Sequence, residues 1–172
     1  MEAPNRKRAK VTIREARKDE VPEIIRLAEK ELPDELNEEE RSQLEEVRKA
    51  LALRLHELLT HRGNEFYVAE VEGSPGMAGY VWFGISQRPF SGLKVGWIFD
   101  VQVLPAHRGK GIGEALMRHA LEVSRKRGFG ETGLMVRANN RTAFSLYEKL
   151  GFQPEHILMT KRDAGPVSHS NS

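Results

Sequence analysis

Apolar residues follow two rhythms along this chain, and the change between them predicts its elements. Val11-Thr12-Ile13-Arg14 alternates as a strand does. Asp19 then offers an N-cap, Pro22 falls in the first turn, and Ile24, Ile25, Leu27 and Ala28 share one helical face. Pro33 is expected to end that helix, because proline lacks an N–H and clashes with the preceding turn. After Asn37, Leu44, Val47, Leu51, Leu55, Leu58 and Leu59 recur at three- and four-residue spacing, which predicts one long helix up to a break at Arg62-Gly63-Asn64. These two helices read as amphipathic cover for a sheet.

From Glu65 the period becomes that of strands. Phe66 to Val71 and Met77 to Ile85 flank the turn Glu72-Gly73-Ser74-Pro75-Gly76, which predicts a hairpin, and a further strand runs from about Lys94 to Leu104 before Pro105. A helix from Gly111 to Arg127 would bury Ile112, Leu116, Ala120 and Val123. After a turn at Gly128–Gly130 come a short strand, Leu134-Met135-Val136, and a helix from Asn140 to Leu150 with Ala143, Phe144, Tyr147 and Leu150 on one stripe. Phe152 to Thr160 reads as a closing strand. The expected order is βααβββαβαβ, without repeat or linker.

At 172 residues, such a chain is expected to form one domain over residues 11–162, with a basic tail at 1–10 (Arg6, Lys7, Arg8, Lys10) and a small, polar tail at 163–172. Its 27 Lys and Arg nearly balance 25 Asp and Glu, too even a distribution for a protein that coats nucleic acid. Without cysteine there is no disulfide framework, thiolate metal site or cysteine nucleophile. No apolar run reaches the roughly 20 residues of a membrane helix, and MEAPNRKRAK lacks a signal peptide's apolar stretch. These features point to a cytoplasmic protein with no membrane partner. His56-Glu57-Leu58-Leu59-Thr60-His61 is one residue longer than the zinc pattern H-E-x-x-H, which turns the second ring off the shared face, so no metal is expected.

The chemistry-bearing stretch is Val101 to Gly113, a strand that runs through a glycine-rich turn into a helix. Such a turn aims backbone N–H groups and the positive end of the helix dipole at one point, which suits an anion. It is not a P-loop, since Lys110 is followed by Gly111 and no Ser or Thr is placed for Mg²⁺. It fits the dinucleotide fingerprint G-x-G-x-x-G poorly, since Glu114 stands at the third glycine. Arg108-Gly109-Lys110-Gly111-Ile112-Gly113 reads R-x-x-G-x-G, and downstream Asn139 to Phe152 reads N-x-x-A-x-x-x-Y-x-x-x-G-F.

With these two motifs and its element order, the chain resembles the GNAT superfamily of acetyl-CoA-dependent N-acetyltransferases across about residues 11–160. The resemblance implies an α/β (α+β) fold: a mixed, mostly antiparallel sheet with splayed strands, flanked by helices. It implies acetyl-CoA as co-substrate, its pantetheine arm bonded to the backbone near Val101 and Val103 where the strands part. Arg108, Gly109, Lys110, Gly111, Ile112 and Gly113 would surround the pyrophosphate. Asn140, which can cap the following helix, would also bond the pantetheine arm, the Val101 N–H would polarise the thioester carbonyl, and Tyr147 would protonate the departing thiolate.

The base that frees the attacking amine does not carry over. Many relatives place Glu or His at positions equivalent to Trp97 or Phe99, and ribosomal-protein alanine acetyltransferases, whose strand reads L-E-V-R-A-x-N, place Glu where this chain has Met135. Asp100, Glu70 and Tyr80 stay open as candidates, although strand parity points Asp100 opposite to Phe99. From Glu29 to Glu46 nine carboxylates face only Lys30 and Arg41, which is either a solvated helix face or an acidic lip for a cationic acceptor. The expected reaction is direct acetyl transfer to a primary amine, a small amine or polyamine. A protein N-terminus or lysine is the alternative acceptor, and a non-catalytic acyl-CoA-binding module the reading from another class. The expected partner is a small-molecule or polypeptide amine, with a homodimer left open.

Overall fold

The computed structural model describes residues 10–36, 38–60 and 63–161, with the side chains of 31–35, 39 and 54–60 outside the described set. Of the expected tails only Lys10 is described, and Asn37, His61 and Arg62 lie outside the described residues.

Strands β1 (Val11–Glu15), β2 (Glu65–Val71), β3 (Gly79–Gln87) and β4 (Lys94–Val103) pair antiparallel in chain order, and β5 (Thr132–Leu134) pairs parallel to β4. The parallel pair needs a crossover, which α4 (Ile112–Lys126) supplies. One sheet face packs under α4, where Val81, Phe83, Ile98, Ile112, Leu116 and Ala120 are buried together. The other face packs Phe66, Val68, Tyr80 and Trp82 beneath Ile24 of α1 (Val21–Glu35), with Leu51 of α3 (Leu44–Thr60) at the margin. α5 (Arg141–Lys149) returns to the α4 face through Leu146 and Tyr147. The mixed α/β class, the mostly antiparallel sheet and the flanking helices are as the sequence predicted.

Several boundaries differ. Glu20, not Asp19, directly precedes α1, and its carbonyl accepts from the Ile24 N–H at 3.1 Å. Pro33 lies inside the last turn of α1, where a missing N–H removes one bond without halting the helix at once. The predicted second helix is broken at Gln43 into α2 (Glu38–Ser42) and α3: the Gln43 N–H bonds Glu40 O, three residues back, while Val47 N–H starts the next run on Gln43 O. β5 is centred two residues earlier than expected. The strand expected at Phe152 to Thr160 is not formed: Pro154 has no N–H for a ladder, and the segment is held by side chains instead. Arg88 Nη2 donates to Glu155 at 2.6 Å, and Phe90 and His156 pack with ring centroids 5.2 Å apart. The observed order is therefore βαααβββαβα.

Candidate functional site

β5 covers β4 only from Gly96 to Ile98. Beyond Ile98, no described strand pairs with that edge, and β4 runs on alone to Val103. Which groups it presents there follows from antiparallel geometry, in which residues alternate between bonding the neighbour and pointing away. Leu104 N–H donates to Ala78 O at 2.9 Å, and the register continues as Gly79 opposite Val103, Tyr80 opposite Gln102 and Val81 opposite Val101. Leu104 and Gln102 thus bond toward β3, while Val101 and Val103 turn their N–H and C=O to the open edge. Their side chains pack against the core under α4.

Val103 O already accepts from Arg108 Nε at 3.0 Å, so Arg108 lies along the mouth of this edge. Lys110 Nζ donates to Ala106 O at 2.9 Å across the same loop. The loop leaves β4 through a short 3-10 turn, Pro105–His107, and then uses Gly109 (φ 73°) and Gly111 (φ 79°) in the left-handed region that side chains with a Cβ rarely adopt. Nothing lies within 4 Å of where a Cβ would stand at either residue. A ligand could therefore approach the backbone closely. Gly111 is the N-cap of α4 and supplies no side-chain cap, so the first N–H groups of the helix are left to an outside acceptor. Ile112 is 1% exposed, so only its main chain could meet a ligand.

Asn140 caps α5, its Oδ1 accepting from Ala143 N–H at 3.1 Å. Tyr147, half-buried, stands edge-on to Phe152 at 5.9 Å and packs into the cluster that holds Val101, Val103 and Leu134. The predicted loop, open edge, cap and tyrosine are thus gathered at one end of β4 and β5.

This arrangement can bind a ligand with an anionic group and a polar, strand-like arm. The acetyltransferase (GNAT) family profile matches residues 22–152. The chain belongs to the GNAT acetyltransferase family. It is 49% identical over 55 residues to streptothricin acetyltransferase of Streptomyces lavendulae, a stretch that covers 32% of this chain and 29% of that protein. It is 42% identical over 60 residues to the ribosomal protein bS18-alanine N-acetyltransferase of Escherichia coli strain K12, covering 35% and 40%. The chain thus spans well under two thirds of either relative. Among solved structures, a Pyrococcus furiosus protein provisionally described as an acetyl transferase is 27% identical with a TM-score of 0.75, covering 90% of this chain and 100% of that one.

On this GNAT scaffold the positions at which the sequence lacks a base are readily placed. Met135, just past β5, is 76% exposed. Trp97 and Phe99 are half-buried on β4 and carry no titratable group. Glu70 is engaged elsewhere: its Oε1 accepts from Arg14 Nε at 3.0 Å and Nη2 at 2.5 Å, on a strand separated from β4 by β3.

Asp100 is the correction. The register steps from Trp82 opposite Asp100 to Phe83 opposite Ile98, which leaves Phe99 as the extra residue of a β-bulge. Ile98 and Val101 both pack on the α4 face. Phe99 packs beside Trp82 on the other, and the Tyr80 hydroxyl, on that same face, donates to Asp100 Oδ2 at 2.5 Å. Phe99 and Asp100 therefore share a face, against the simple alternation expected. The three-residue interval between the apolar residues Ile98 and Val101 is the sequence signal that could have shown it.

Proposed function

We propose that this chain transfers the acetyl group of acetyl-CoA directly to a primary amine, with a small amine or polyamine as acceptor. The observation that carries the reading is the edge of β4 at Val101 and Val103 that no described strand covers, which leads into the left-handed turn at Gly109 and Gly111. An amide-bearing arm can complete that edge as a pseudo-strand, and a pyrophosphate suits the first turn of α4. Arg108 and Lys110 add countercharge at the rim. On this reading the Val101 N–H steadies the oxyanion and Tyr147 gives a proton to the departing thiolate, whose parent thiol titrates near ~8.5 against ~10 for a tyrosine.

The acceptor side supports a cation. Glu29 on α1 and Glu45 and Glu46 on α3 belong to helices that pack on the Tyr80 face, and Glu38 and Glu40 lie on α2 between them. A peptide α-amine is the second reading, favoured by the similarity to the bS18-alanine enzyme, while exposed Met135 stands where that branch has its glutamate.

The test is release of CoA thiol from acetyl-CoA with a panel of alkylamines, polyamines and an alanyl peptide. Turnover with the small amines is expected. Tight acetyl-CoA binding without turnover on any amine would replace this reading with a non-catalytic acyl-CoA-binding module.

A further inference from the structure

β4 and β5 part after the pair Ile98 and Leu134, and the side chains around that fork sort by the two faces of the sheet. Ile98 and Leu134 pack into the cluster under α4. Trp97 and Gly133, one residue before them, therefore face the Tyr80 side. Gly133 is the register partner of Trp97, and a Cβ there would run into Cζ3 and Cε3 of the Trp97 ring. The indole thus lies across β5, in the space that any side chain at 133 would fill. Phe99 carries the surface on along β4, leaning on Trp82 with centroids 5.1 Å apart. Met135, the first residue after β5, stands outside the α4 cluster and is 76% exposed. Two aromatic rings and a thioether therefore surround the fork, and none of the three carries a charge. Two residues beyond Phe99 is Val101, the donor to the thioester in the reading above.

A large apolar side chain left open at the mouth of a cleft marks a surface that a ligand covers, and an unbranched thioether adapts to the shape of what covers it. The acidic residues of α1 and α3 belong to helices on the same side and attract a cation from solvent. What the substituent of that cation meets at the fork is apolar. A second ammonium group finds little there, because the sole carboxylate on β4 and β5, Asp100, already accepts from the Tyr80 hydroxyl.

We propose that this fork sets acceptor specificity, and that the acceptor is a primary amine with a single charge and an apolar alkyl or arylalkyl substituent lying on Trp97, Phe99 and Met135. This rests on the acetyltransferase reading above and selects, from its two acceptor classes, the small apolar amine over the polyamine. Covering one methylene group against such a surface favours binding by a factor of about three to four. A terminal ammonium on the same carbon chain would lose water there and gain no anion.

The experiment uses amines that differ only in the part that meets the fork: propylamine to hexylamine, and the diamine of the same length as hexylamine. Calorimetry in saturating CoA, where no transfer occurs, reads binding apart from turnover. Wild type is expected to gain about three- to fourfold in affinity per methylene, and to bind hexylamine about tenfold or more tighter than the diamine. Met135→Glu, at an exposed position, should keep the melting temperature and CoA affinity and reverse the preference in favour of the diamine. Trp97→Ala should flatten the series to less than about twofold per methylene. If that variant does not fold, Met135→Ala replaces it and should flatten the series partway. In turnover with acetyl-CoA, kcat/KM should follow the same order. Equal affinity for hexylamine and the diamine, no binding of hexylamine, or a preference unmoved by Met135→Glu overturns the proposal. The expected binding order without turnover of any amine overturns the acetyltransferase reading instead and leaves the fork as the amine-binding surface.

Discussion

Arg137, between β5 and α5, reaches back to Glu40 in α2, its Nη2 3.3 Å from Oε2. The pair joins the helical layer over the Tyr80 face to the segment that leads into α5, which packs on the opposite face. Both side chains are more than a third exposed, so solvent and salt screen the attraction and its contribution to stability is at most about 1 kcal/mol. Glu40→Gln should therefore leave the urea midpoint almost unchanged. It should raise the acceptor KM several-fold without altering the KM for acetyl-CoA, and a shift in the acetyl-CoA KM would place α2 at the donor side.

Gly133 lies against the ring of Trp97, where a Cβ would come within 2.4 Å of Cζ3. The two are register partners in the short β4–β5 pair, so a methyl group forces the ring or the strand to move. Gly133→Ala should destabilise by about 1–3 kcal/mol, the cost of overpacking, and urea denaturation would measure it. Gly109→Ala, with open space at its Cβ but a left-handed φ, should act through the loop conformation instead.

Tyr147→Phe keeps the ring that packs on Phe152 and removes only the hydroxyl. It should lower kcat about 10²- to 10⁴-fold while acetyl-CoA affinity is retained. Gly111→Asp should do the reverse, abolishing acetyl-CoA binding by placing a negative charge and a strained φ at the start of α4. Calorimetry with acetyl-CoA separates the two, and full affinity in Gly111→Asp would move the pyrophosphate away from this turn.

Glu20, at the start of α1, is gripped by both terminal nitrogens of Arg14 at 2.8 Å and by the Arg17 N–H at 2.7 Å. The Arg14 hydrogen bonds, against the opposing effect of burial, hold its carboxyl down at about 2 instead of the usual 4.5. Between those values the unfolded chain binds the proton and the folded one does not. The stabilisation is thus complete above the unfolded pKa and is lost as pH falls toward 2. Glu20→Gln should cost about 1–3 kcal/mol at pH 7 and flatten the fall in stability between pH 5 and pH 2, read by urea unfolding across that range.

The elements around the glycine turn were legible because each of their signals is local. Pro105 after an alternating run, two glycines before Ile112 and Leu116, and Asn140 three residues before Ala143 are stated within a few residues, and the strand, loop, helix and cap formed there. What the sequence did not reveal depends on partners distant in the chain. The break at Gln43 closes the all-polar run from Glu38, ahead of the apolar period that starts at Leu44, so no hydrophobic signal marks it. The segment after Phe152 has a strand's composition, but Arg88 and Phe90, far upstream, tie down its first residues. The face of Asp100 turns on the pairing of β4 with β3, where one surplus residue reverses the alternation for everything before it.

The edge that β4 leaves bare between Phe99 and Val103 consists of peptide groups, and this shapes how the protein can change. No ordinary side-chain replacement at residue 101 deletes its N–H; only proline does so. That edge is therefore almost indifferent to which amino acids occupy it, provided the chain keeps its path. The face under α1–α3 is spelled out in side chains and can be rewritten one residue at a time. Under the proposed function, divergence should accumulate on that face, with a new acceptor reached while the edge stays as it is.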